Sequence, residues 1–169
     1  MQADEKAQGP VAFSMRDLPL LRTGMTTTPL ACTDNLWLHG KVYSKGGENN
    51  LHAHAVEDHA FIVMRGAARF HFADGTMREA REFEGVLLPK GTIYRFDAVE
   101  GENLVMVRVG GAQIGADWSG QIVRGGPAET RRVVDPDGNL IASSARKGKT
   151  PAEPPTILDG RTVASDELA

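Results

Sequence analysis

Between Asn35 and Val109 the chain alternates short β-branched, aliphatic and aromatic runs with Gly, Asn, Asp and Pro, the pattern of many short strands rather than of helices. The runs are Leu36 to Ser44, His59 to Met64, Ala67 to Phe72, Gly85 to Leu88, Thr92 to Asp97 and Leu104 to Val109. Asp74-Gly75, set between Phe72 and Met77, predicts a tight type I′ hairpin, a turn that needs positive φ at both central positions. Gly91 and Gly101 mark two further turns. Together these elements predict an antiparallel all-β sandwich or barrel. On the first run Trp37, His39, Lys41 and Tyr43 alternate with Leu36, Leu38 and Val42, and the aliphatic set is expected to face the core.

The two ends read differently. Residues 1–34 form an N-terminal extension whose one apolar stretch, Leu18 to Leu21, suits an added edge strand or a short helix. Residues 35–110 are the expected barrel, and 111–169 a C-terminal extension rich in Gly, Pro and charge, expected to be partly ordered. Within it, Val133 to Ile141 reads as two short strands about a turn. The stretch from Lys147 to Pro155 looks like an extended linker, and beyond Arg146 disorder is an equal alternative.

Composition narrows the classes of function. A chain of 169 residues, 41% apolar and 24% charged, has the size and balance of one globular domain. No run approaches the roughly 18 apolar residues of a spanning helix, and the start lacks the basic-then-apolar order of a signal peptide, so a cytoplasmic protein is expected. A net charge of -3 with interspersed signs gives no general pull toward phosphate backbones, so neither nucleic acid nor membrane is an expected partner. The single cysteine, Cys32, cannot form an internal disulfide and is expected to be a small buried group.

The candidate chemistry lies between Gly46 and Gly66. In an extended chain residues two apart share a face, so His52 and His54 present two imidazoles together. After a turn at Val56-Glu57-Asp58, His59 opens the next strand and can converge on the same point. Three of the five histidines within eight residues point to a metal site, because neutral imidazole suits Zn, Fe, Cu and Ni. Glu57 or Asp58 is the alternative to His59 as third ligand.

The same segment resembles the first cupin motif, with Gly46, His52, His54 and Gly66 in register and His59 in the glutamate slot. Residues 83–98 resemble the second motif: Pro89 and Gly91 match, whereas Phe83 stands for its glycine, Tyr94 for its histidine and Ala98 for its asparagine. The resemblance, to small single-domain members of the cupin superfamily, covers roughly Asn35 to Val109. It implies a double-stranded β-helix, a jelly-roll-like antiparallel barrel. It also implies one divalent ion, Fe, Mn, Zn or Ni with Fe(II) preferred, held by His52, His54, His59 and Tyr94.

Tyr94 is read either as a phenolate ligand or as a phenol that acts as catalytic acid or hydrogen-bond donor. Phe61 and Phe96 are expected to line a substrate pocket. An uncharged histidine set leaves the ion's charge to be offset by what binds, so an anionic or enolisable small molecule is the expected substrate. The leading reaction is a non-haem metal-dependent dioxygenation. A redox-neutral lyase or isomerase and a non-catalytic binding or sensing cupin are the alternatives. Pairing into a homodimer is expected.

Overall fold

The computed structural model describes residues 7, 9–45, 47, 51–54, 56–99, 101, 103–111 and 161–164, together with the backbone of 132–134, 140–143 and 156–160. Gly46 and the linker from Lys147 to Pro155 lie outside the described residues. The described residues contain strands and no α-helix. One antiparallel sheet has the order β2 (Met25–Cys32), β3 (Leu36–Tyr43), β9 (Leu104–Gly111), β4 (Asp58–Arg65), β7 (Gly85–Leu88), and a second the order β6 (Met77–Arg81), β5 (Ala67–Phe72), β8 (Tyr94–Ala98). The residues read as extensions contribute β2 to the five-stranded sheet, β1 (Pro19–Thr23), which pairs with β12 (Thr156–Thr162), and a short antiparallel pair, β10 (Arg132–Val134) with β11 (Leu140–Ser143).

The two larger sheets enclose one core. Phe61, Val63, Leu104 and Met106 from the first meet Phe70, Tyr94 and Phe96 from the second, and all are at most 2% exposed. Phe61, Phe70 and Phe96 stand 5.3 to 5.5 Å apart between ring centroids, within the range for favourable aromatic pairs. Burying one such ring contributes about 2–3 kcal/mol.

The inward face of β3 is the reverse of the expected one. Trp37 pairs with Gly110, His39 with Arg108 and Lys41 with Met106, and across β9 those partners align with His59, Phe61 and Val63. The aromatic and polar set therefore lines the interior, while Leu36 and Val42 face outward. The aliphatic residues are accounted for by a second core on the outer face: Leu18, Leu20 and Leu21 bury Val42 and Val105. Asn103 ties that layer down, its Oδ1 accepting from the Leu21 amide at 2.6 Å and its Nδ2 donating to the Leu21 carbonyl at 2.9 Å. The outer layer covers Val42 and Val105 and leaves Leu36 exposed, while the inner face of β3 carries polar groups.

Two local expectations also change. The turn at Ala73-Asp74-Gly75 has positive φ at Gly75 (82°) and not at Asp74, so it is a three-residue hairpin loop rather than a type I′ turn. Thr76 stabilises it by donating its amide and hydroxyl to Asp74 Oδ1. Cys32 is half-buried rather than fully packed away.

Candidate metal centre

Residues 51–54 run beside the start of β8, where the His52 and Tyr94 amides exchange hydrogen bonds of 2.9 and 2.8 Å and the Gly91 amide donates to the His54 carbonyl. At the turn that follows, Asp58 Oδ1 accepts from the Lys90 amide at 2.8 Å, which fixes Asp58 outward. Glu57 is thereby turned in, and β4 carries His59 onto the inner wall. His54, Glu57 and His59 converge, buried, with one potential ligand atom from each lying within 4.8 Å of the others.

The hydrogen bonds define the charges in this group. Trp37 Nε1 donates to Glu57 Oε1 at 2.5 Å, and Glu57 Oε2 lies 3.1 Å from His59 Nε2. Burial pushes the Glu57 pKa up, but the hydrogen bonds from His59 and Trp37 outweigh it and leave a carboxylate below its usual range. Burial lowers the His59 pKa to about 4, so its ring is neutral at pH 7. The assignment consistent with these contacts puts the His59 proton on Nε2, toward Glu57, and a lone pair on Nδ1.

That lone pair is taken by Arg108. Its Nη2 lies 3.1 Å from His59 Nδ1, 3.3 Å from His59 Nε2 and 3.1 Å from His54 Nε2. The guanidinium is held between aromatic faces, its Cζ 4.9 Å from the Trp37 ring centroid and 5.5 Å from that of Phe61. Further along the same wall Lys41, 5% exposed, donates from Nζ to Thr27 Oγ1 at 2.9 Å and to Tyr43 Oη at 3.1 Å. Burial, and then the charge of Arg108, hold its pKa well below the ordinary lysine value.

The other expected residues stand close by. The His52 ring is 5.2 Å from that of His54 and 4.6 Å from that of Tyr94, half-buried and outside the group of three. Tyr94 is 2% exposed and burial pushes its pKa up to about 12, so it is a neutral phenol. Phe61 contacts Arg108, whereas Phe96 packs in the aromatic core against Tyr43 and Phe61.

Two imidazoles and a carboxylate suit Zn or Fe. A divalent ion fits this donor set on one condition, that the Arg108 guanidinium leaves the imidazole lone pairs. Arg108 and Lys41 were not signalled as site residues by the histidine-rich segment. Arg108 shares a face with buried Leu104 and Met106, but Val105 on the opposite face is buried too, so alternation alone does not mark Arg108 as interior. Arg69 and Arg95 are instead paired with Glu79 and Asp97.

No protein-family model matches the chain, and no curated protein is significantly similar to it. Solved structures do match. The cupin domain of Schizosaccharomyces pombe Cnp3 superposes with a TM-score of 0.55 at 12% identity, over 62% of this chain and 75% of that one. A Klebsiella pneumoniae conserved protein with a double-stranded β-helix domain gives 0.54 at 15%, over 62% and 91%. A conserved Streptococcus pyogenes protein of unknown function gives 0.53 at 17%, over 64% and 93%. With the antiparallel strand order and the shared core between two sheets, these likenesses establish that the chain has the cupin fold, a double-stranded β-helix.

Proposed function

We propose that the protein is a metal-dependent enzyme acting on an anionic or enolisable small molecule, with oxidation by dioxygen as the reaction class. The observation that carries this reading is the buried His54, Glu57 and His59 group, because two histidines and one carboxylate with open positions are the donor set of non-haem Fe(II) oxygenases. When bound, such an ion would supply Lewis acidity and, if iron, access to dioxygen chemistry. The chain's own residues prepare the site for it. Glu57 offsets one unit of positive charge, Lys41 and Arg108 favour an anionic ligand, and Tyr94 as a neutral phenol is a hydrogen-bond or proton donor. The aromatic walls of Trp37 and Phe61 keep bulk water from the donors.

The test is oxygen uptake by protein loaded anaerobically with Fe(II), against a panel of chelating acids and β-diketones. Uptake with iron and none with zinc supports the reading. Turnover with zinc and no oxygen consumption moves the protein to the lyase and isomerase class. A second reading, a metal-free binding cupin, is favoured by Arg108 holding the imidazole lone pairs. Elemental analysis that finds no metal at any loading would select it. A homodimer goes with either reading, supported by the exposed Leu36, Ile62 and Leu87 on the outer face of the five-stranded sheet, and light scattering measures it directly.

A further inference from the structure

We propose that Lys41 and Arg108 form a subsite for the carboxylate of a bound ligand on the inner wall of the barrel. The proposal rests on reading the interior as a small-molecule site, with or without a metal.

Lys41 is 5% exposed, and its acceptors, Thr27 Oγ1 and Tyr43 Oη, are both neutral. Among the described residues no carboxylate contacts it. A buried ammonium is ordinarily matched by an opposite charge. Glu57 is the only acid among the described buried residues, and its two oxygens face Trp37 and His59. Arg108 and Glu57 offset one another, and burial disfavours the Lys41 ammonium in the empty site, so a monoanionic ligand set against Lys41 supplies the opposite charge that holds its proton.

Strand register sets the two side chains beside one another. Lys41 pairs with Met106 and Arg108 with His39, so the two cations are diagonal neighbours on one face, about 7–8 Å apart at the backbone. An ammonium has three donors and Lys41 directs two at Thr27 and Tyr43, leaving a third. Arg108 Nε is buried with no acceptor among the described residues. A carboxylate between them takes one oxygen to each, and the guanidinium is already oriented by Trp37 and Phe61.

The experiment uses metal-stripped full-length protein titrated with benzoate, read by calorimetry and tryptophan fluorescence, with benzamide as the uncharged control. Saturable benzoate binding, none of benzamide, and a roughly tenfold or greater loss in Lys41→Met and in Arg108→Met are expected. Lys41→Met should melt no lower than wild type, because an apolar side chain replaces a buried cation, which separates a binding role from a structural one. Benzoate affinity unchanged from wild type in either variant, or no binding to the wild type, overturns the subsite. Tighter binding of inorganic phosphate than of benzoate overturns the choice of carboxylate. Zinc uptake on the same samples reports on the metal reading alone: zinc without benzoate removes only the subsite, and benzoate without zinc removes only the metal.

Discussion

Arg108 meets His54 at 3.1 Å through the same Nη2 that lies 3.1 Å from His59 Nδ1. One guanidinium nitrogen therefore uses both of its hydrogens on the two imidazole lone pairs that a metal would need. The chain carries its own cation at the centre of its donor group, and a divalent ion needs that guanidinium to swing off the imidazole lone pairs.

Removing the side chain should release the donors. Arg108→Met is expected to bind Co(II) or Zn(II) about tenfold tighter than wild type, a change of about 1.4 kcal/mol. Visible absorption of the cobalt protein, or competition calorimetry with zinc, measures it. An unchanged affinity would mean that the guanidinium does not hold the histidines in solution.

Glu57 is the counterweight to Arg108, and its oxygens accept from Trp37 and His59. In Glu57→Gln the amide can accept on one side only and the charge is lost. A destabilisation of about 2 kcal/mol is expected, which for a chain of this size lowers the melting temperature by about 4–8 °C. Zinc binding should fall with it. A variant that melts like wild type and still binds zinc would remove Glu57 from the centre.

The same pair sets the pH dependence of the metal-free protein. The folded His59 pKa lies near 4, below the ordinary value of 6.5, so between those values the unfolded chain takes up a proton that the folded one refuses. Stability is fully present above about pH 6.5 and falls as pH drops toward 4, by an amount on the order of 3 kcal/mol. Glu57, with its folded pKa depressed, adds a loss at lower pH, as acid protonates the folded carboxylate. Urea denaturation from pH 4 to pH 8 should show this slope, and His59→Asn should flatten it between pH 4 and pH 6.5.

Strand positions were legible because Leu36 to Ser44, Ala67 to Phe72 and Leu104 to Val109 combine β-forming residues with turn punctuation, and each coincides with a strand to within two residues. Spacing set His52, His54 and His59 together, whereas the structure brings His54 and His59 to Glu57 and leaves His52 beside the group. The inward face of β3 was not legible, because alternation states which residues share a face and not which face is covered. Only the layer of Leu20 and Leu21 over Val42 decides that. Arg108 was hidden for a related reason: it is 49 residues from His59 in sequence, and only the pairing of β4 with β9 brings them together.

Phe83 stands where the second motif has glycine and keeps the backbone that glycine would adopt, φ 67°, with its ring 80% exposed. Its side chain buries too little area to offset a left-handed conformation that disfavours an aromatic residue by about 1–2 kcal/mol. Phe83→Asn, which tolerates that region, should raise the melting temperature by about 2–4 °C. A drop on substitution would show that the exposed ring is held by a contact beyond this chain's described residues.

Gly110 leaves the space that the geometry of the centre requires. A Cβ there would overlap the indole ring of Trp37, the ring that donates to Glu57, stacks on His39 at 4.4 Å and lies under Arg108. In Gly110→Ala the indole must move, and Glu57 and the guanidinium lose their support at once. A loss of about 3 kcal/mol is expected, within the range for overpacking a buried site, together with weaker zinc binding. Trp37→Leu alone removes the Glu57 donor, but in the Gly110→Ala background it also removes the clash. The double variant should therefore be more stable than the sum of the two single losses predicts, by at least about 1 kcal/mol. Strict additivity would mean that the indole and Gly110 do not touch, and that the packing which fixes Glu57 comes from elsewhere in the barrel.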